Sequence, residues 1–410
     1  MPRYPKKIVA SKKSATESQG LSSSIAVLFA IAAGLAIGNL YWAQPLLAQI
    51  AEGFGVAPAQ GGLLLTATQI GYAIGVLLIV PLGDMLHRRK LIATTMVLSL
   101  IMLVACSFAP SFAFLAVALS GLGLTTVAGQ IILPLAGDLA SPSERGRMVG
   151  IVTSGITTGI LLSRFASGII ADALDWRAVY VIAALLNSII VIVLALKIPE
   201  TPKRKQVPYR KLIAGVFSAL RRYPVLPPIL LANGLVFGIA FNLFWTALTF
   251  LLAGEPFHFN TFQIGLVSLA GVTGAFAAVG CGRLQDAGYG VPALGAAIAL
   301  CILSIVGAAL SGESVVSLVV VAAIFSLAIQ GVCILNQTRI FALSNTERSR
   351  LNTAFVVNNF LFSAVGSGLA TAFWNLGGWT AVALSAAVFC LIAFAIWLFS
   401  RKKFAMSLTD

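Results

Sequence analysis

The sequence predicts an all-α membrane protein whose twelve transmembrane helices form two pseudo-symmetric six-helix bundles. Three observations predict it. The 410 residues are 59% hydrophobic and only 10% charged, whereas a soluble protein carries about 25% charged residues, so much of the surface faces lipid. Apolar stretches of about 20 residues recur along the chain, the length that spans hydrocarbon as a helix. Landmarks of the first half also return in the same order in the second.

The elements follow in order. MPRYPKKIVASKKSATESQG opens the chain. It is polar and basic, and no small-residue cleavage site follows a short apolar core, so it reads as a cytosolic tail rather than a leader. Six spans are expected near 24–48, 60–82, 91–109, 112–138, 148–171 and 178–197. A basic, proline-containing stretch between Lys197 and Pro228 separates them from six more, near 228–252, 262–282, 291–310, 315–341, 352–373 and 379–399. Arg210–Arg222 is either a short amphipathic surface helix or a solvated linker. The expected division is a tail at 1–23, a bundle at 24–197, a cytosolic linker at 198–227, a bundle at 228–399 and a tail at 400–410.

The repeat is concrete. Asn-Leu-aromatic-Trp occurs at Asn39–Trp42 and at Asn242–Trp245, 203 positions apart. SERGR at Ser143–Arg147 and TERSR at Thr346–Arg350 keep the same spacing, as do Trp176 and Trp379. TQIG from Thr68 and FQIG from Phe262 are offset by 194.

The net charge of +14 invites a nucleic-acid reading, which its location removes. With both termini inside, 25 of the 27 Lys and Arg residues fall in cytosolic segments; Arg177 sits in an outer loop and Arg164 inside a span. That is the positive-inside pattern, so the basicity records topology and contact with anionic lipid. The five cysteines lie in or beside apolar spans without CxxC spacing, and are expected as small packed hydrophobes rather than a disulfide frame or metal site. No cofactor is expected. No GxxxxGK[ST] occurs, so ATP is not expected to drive the cycle from this chain.

Parallel six-helix halves related by an axis along the membrane normal are a transporter architecture. With PLGDMLHRRK after the second span and SERGR before the fifth, the chain resembles the major facilitator superfamily over its whole length. It is most similar there to the drug and sugar efflux, arabinose-efflux-like branch. The resemblance implies a secondary transporter in the cytoplasmic (inner) membrane, exporting small organic molecules by alternating access, with proton antiport and a functional monomer expected. The direction rests on the resemblance alone. The alternative is uptake or facilitated diffusion of an organic anion, with Arg164 as counter-charge. An enzyme is not expected: the two histidines, His87 and His258, lie at loops.

The family's loop after the second span reads roughly G-x-x-x-D-R-x-G-R-R. Asp84, Arg88, Arg89 and Lys90 keep its charged positions, while Val80, Met85 and His87 depart from it. Asp286 keeps the spacing in the second half. A boundary carboxylate can pair with a base or meet a helix N-terminus of the other half. These residues, with Glu144, Arg145, Arg147, Glu347, Arg348 and Arg350, are candidates for a cytosolic latch; the alternative is a topogenic charge cluster.

Arg164 stands past the middle of the fifth span, where family antiporters often carry G-x-x-x-G-P-x-x-G-G. Gly155 and Gly159 fit that pattern, but Ile160 replaces the proline and Ser163-Arg164 the last glycines. A buried arginine must meet water, a carboxylate or carbonyls, so it either recognises an anion or bonds helix carbonyls. None of the thirteen carboxylates is at mid-membrane, where a proton carrier usually sits, and the fourth span lacks the arginine of proton-coupled relatives. The candidate carriers are therefore Asp84, Asp138 and Glu52. Cavity candidates, on the spans that line the family's cavity, are Asn39, Tyr41, Trp42 and Gln44 before the expected kink at Pro45, then Gln130, Asn242, Trp245, Gln330, Asn336 and Gln337. The competing role for the amides is helix–helix bonding, and for the two tryptophans interface anchoring. Gly155-xxx-Gly159 and Gly271-xx-Gly274 are expected to bring helices close along the interface between the halves.

Overall fold

The computed structural model describes residues 23–141, 144–198, 208–311, 314–344 and 347–406. Residues 1–22 and 407–410 of the expected tails, together with Ser143, Glu200, Glu313 and Thr346, lie outside the described residues, while 400–406, expected as tail, continue the last helix. Among the described residues ten helices are long and apolar enough to cross a membrane. One of them, Arg348–Met406, holds two spans, because Gly377 and Gly378 leave helical geometry. Gly378 sits at φ 59°, ψ −146°, a region that only glycine enters readily. The indole Nε1 of Trp379, the next residue, donates to the Ala308 carbonyl at 2.9 Å and fixes the turn. The first span is too short to be counted alone: Ser23–Gly38 stops, residues 39–43 turn, and Gln44–Leu46 and Leu47–Gly53 complete it. Ten, one more from the split and one from the broken first span make twelve.

Numbered in order, span 2 is Gly62–Leu78, span 3 Arg88–Ser107, span 4 Phe112–Thr125 with Ala128–Leu139, span 5 Arg145–Ala173 and span 6 Trp176–Lys197. Span 7 is Leu226–Asn233, a π-helical turn at Gly234–Ala240, and Phe241–Ala253. Span 8 runs from Thr261–Ser268 to Thr273–Asp286, span 9 is Gly290–Leu310 and span 10 Val315–Ala342. Spans 11 and 12 lie on either side of Gly377–Gly378. Between the halves, Tyr209–Arg222 forms a helix, so the amphipathic alternative holds for the linker.

Each half has its own apolar core. In the first, span 1 lies on span 5 because Gly155 and Gly159 meet Ala30 and Gly34 backbone to backbone: a Cβ added at Gly34 would come 2.4 Å from the Gly155 carbonyl oxygen. That glycine pair therefore works inside one half, not between halves as its spacing suggested. The small residues needed for close approach are the same in either place; only tertiary pairing chooses.

The ends of the molecule differ. At one end lie the Arg88, Arg145, Arg222 and Arg348 clusters, hereafter the basic end. At the far end the halves are joined by several bonds. Thr371 Oγ1 donates to the Ala59 carbonyl at 2.6 Å, Thr66 Oγ1 to Ala364 at 3.2 Å, and Thr249 Oγ1 to Gln44 at 3.4 Å. A small cluster that includes Leu47, Leu65 and Phe250 closes over them. At the basic end, among the described residues, no hydrogen bond joins spans 4 and 5 to spans 8 and 10. There the linker helix bridges one edge: Tyr209 Oη donates to the Leu78 carbonyl at 2.7 Å on the first half, and Arg222 and Tyr223 bind Glu347 on the second.

Candidate functional site

Arg164 projects from span 5 into the junction between the halves and is 3% exposed. Its guanidinium carbon lies 4.8 Å from the ring centre of Tyr41 and 5.4 Å from that of Trp245. Tyr41 comes from the break in span 1; Trp245 comes from span 7, past its π turn. One cation is thus held between an aromatic face of each half. Gly271 of span 8 brings bare backbone to the same place: a Cβ there would meet Arg164 Nη1 and Trp245 at 3.8 Å.

Among the described residues no carboxylate pairs with this guanidinium, and none of its N–H groups finds an acceptor. Nε is buried without a partner, as is the Trp245 indole N–H. The carbonyl-bonded alternative for Arg164 is therefore not what the geometry shows. Stacking on desolvated rings returns about 2 kcal/mol, against a cost of about 3 kcal/mol for a mid-membrane arginine on insertion scales. Among the described residues the site is thus rich in donors and short of acceptors, and buried donors need acceptors.

The other cavity candidates divide. Gln130 is half-buried and donates to Tyr72 Oη at 3.1 Å, and that ring lies 4.3 Å from Phe360 of span 11. Asn39 and Trp42 turn inward: Trp42 Nε1 donates to Asn39 Oδ1 at 2.9 Å, and Asn39 donates to Thr126 at 3.4 Å, tying the break in span 1 to span 4. Asn242, its repeat, does something else. It accepts from Gln69 of span 2 at 2.8 Å, and Gln69 accepts from Ser367 of span 11 at 3.0 Å, so Asn242 belongs to the seal between halves. Gln44 is buried with its amide oxygen unpartnered. Asn336 donates to Asn233 at 3.2 Å, which donates to Asn359 at 2.7 Å, an amide ladder within the second half. Gln330 flanks Gly274, and Gln337 reaches Asn352 at 3.4 Å.

Sequence reasoning passed over Gln69, Tyr72, Ser367 and Arg339. Gln69 stands in the TQIG repeat, but its counterpart Gln263 caps its own helix with Asn260, so the repeat carried no sign of a bridge. Arg339, grouped by sequence with the cytosolic cations, is fully buried in the last turn of span 10. Arg177, assigned to an outer loop, stands in the first turn of span 6 at that end, with its guanidinium over Trp176 at 4.1 Å.

Where their partners are described, the latch candidates pair within their own half or with the linker helix. Arg88, 7% exposed, binds Asp138 at 2.8 Å and Asp84 at 3.5 Å, and Arg145 binds Asp138 at 3.2 Å. Arg89 donates to the Ala195 carbonyl. Glu144 accepts from Ser141 at 3.1 Å, and Arg147 is exposed. Glu347 holds Arg222 at 2.6 Å and Arg350 at 3.2 Å, and Arg348 donates to the Phe341 carbonyl at 3.3 Å. Asp286 ends span 8; its side chain lies outside what is described. Of the carrier candidates, Asp84 and Asp138 share Arg88, and Glu52 is exposed at the far end.

The sequence model of the Major Facilitator Superfamily matches residues 29–366. The chain belongs to this superfamily. An uncharacterized transporter of Escherichia coli O157:H7, YgaY, is 35% identical over 377 residues, covering 92% of this chain and 95% of its own. Among solved structures, a bacterial homolog of the human lysosomal transporter Spinster, inward-facing and occupied, has a TM-score of 0.77 at 16% identity, with 94% of this chain and 98% of that one covered. The human organic anion transporter MFSD10 has a TM-score of 0.69 at 18% identity, covering 92% and 100%. These likenesses show the fold. This superfamily member is a multi-pass membrane transporter and not an enzyme.

Proposed function

We propose that the protein is a secondary transporter that moves a small organic anion by alternating access, with Arg164 as the counter-charge. The residues near 24–197 and 228–399 are the two rocking bodies, and the basic end faces the cytosol. The observation that carries this reading is the buried Arg164 guanidinium, stacked between Tyr41 and Trp245 and lacking any described acceptor. A neutral sugar or a lipophilic cation would leave that charge uncompensated, so the geometry favours the anion over drug or sugar export. The bonds that join the halves at the far end, through Thr371, Thr66 and Thr249, support a state open to the cytosol. In it, an anion reaches Arg164 from inside. Among the described residues no carboxylate near Arg164 offers itself as proton carrier, which favours movement down the anion's own gradient or in exchange.

The test is flux in proteoliposomes with aromatic and aliphatic carboxylates, neutral sugars and lipophilic cations, with and without a pH gradient. Anion-selective flux should fall by about 100-fold or more in Arg164→Gln, the loss expected for a buried charge-assisted pair. It should return in part in Arg164→Lys, which keeps the charge without the fork. Flux of sugars or cations that survives Arg164→Gln unchanged sinks the reading.

A further inference from the structure

At the basic end, beside the linker helix, a cavity of about 300 Å³ opens to the lipid-facing surface. It lies away from Arg164, between the linker helix, the first turns of spans 7 and 11 and the end of span 2. Eleven of its twelve lining residues are apolar, and the twelfth, Asn358, is occupied: its amide donates to the Leu230 carbonyl at 2.8 Å. Polar solutes find nothing to bind there. Hydrocarbon does, and three of the liners, Phe217, Leu231 and Leu361, remain 55%, 43% and 45% exposed.

Charge stands at its mouth. Arg210, Ala214, Phe217 and Arg221 follow one another at helical spacing, so they share one face of the linker helix, and all four are exposed. Arg221 is one turn beyond Phe217, and among the described residues neither Arg210 nor Arg221 has a carboxylate partner. An apolar slot with a cation one turn beyond it matches a molecule with an acyl chain and an anionic head.

We propose that this groove binds an anionic phospholipid, its acyl chain against Phe217, Leu231 and Leu361 and its phosphate at Arg221. The linker helix touches both halves, at Leu78 and at Glu347, so a lipid seated here lies where the halves rock past each other.

The experiment is photolabelling. The full chain is reconstituted in phosphatidylcholine vesicles carrying a trace of phosphatidylglycerol or phosphatidylcholine with the same diazirine-bearing acyl chain, and adducts are mapped by peptide mass spectrometry. Adducts should concentrate on the linker helix and the start of span 11, with phosphatidylglycerol exceeding phosphatidylcholine about fivefold there. Arg221→Gln should bring the two lipids level. Leu361→Trp should lower both by filling the slot, and Leu231→Trp serves if that variant does not fold. Adducts spread evenly over the lipid-facing spans would mean annular lipid only and overturn the proposal. Equal labelling by the two lipids, or adducts displaced by a transported carboxylate, would overturn it as well.

Discussion

Arg164 is costly where it stands, and its neighbours reduce that cost without removing it. Tyr41 and Trp245 offer ring faces, and Gly271 leaves space beside Nη1. Under the proposed function the Trp245 face is worth about 1–2 kcal/mol, so Trp245→Leu should raise the anion's apparent KM about tenfold, while Trp245→Phe keeps most of the affinity. Inhibition titrations with a carboxylate would read this directly, and an unchanged KM in Trp245→Leu would remove the ring from the site. Asn39 and Asn242 show how little a matched pair of residues fixes at this scale: one bonds inside its half and the other across to Gln69.

Among the elements, span 1 depends on span 5 more than on its own length. Its helix stops at Gly38 and resumes only at Gln44, where Pro45 can start a turn because its missing N–H would have had no partner. What holds it is backbone contact at Gly34, Gly155 and Gly159. Gly155→Leu should force the helices apart and lower stability by about 3 kcal/mol. Gly150→Ala, which would meet nothing within 4 Å, should be neutral. Thermal unfolding of the purified variants decides, and equal midpoints would refute the account. Span 7 has the other irregularity. Its π turn lets the Phe362 ring lie against Gly234 and Gly238, and such turns gather at functional positions; here it stands between the Asn233 ladder and Trp245.

For the whole molecule, the asymmetry between its ends matters most. Far-end bonds through Thr371, Thr66, Thr249 and the Ser367–Gln69–Asn242 relay are neutral pairs worth about 1 kcal/mol each, strong enough together to seal and weak enough to break. Gln69→Ala should shift the population toward a state open at the far end. In a variant whose only cysteine is Leu65→Cys, buried in the cross-half cluster, labelling by an impermeant maleimide should then rise about fivefold. Labelling no faster than in the parent would mean the relay does not hold the seal.

Fold class, the number of spans and the two-fold repeat were set by the sequence alone, because the bilayer dictates apolar segments of fixed length and backbone bonding within each helix. Arg164 was legible for the same reason: a cation inside an apolar run has few ways to exist. Its partners were not legible. Tyr41, Trp245 and Gly271 lie far from it and from one another in the chain, and they meet only where two halves are pressed together. The glycine pair of span 5, the Gln69 bridge and the buried Arg339 were misplaced or missed on similar grounds, since small and polar residues serve equally well within a half or between halves. Local chemistry decides what such a residue can bond to, and only the tertiary arrangement brings the partner.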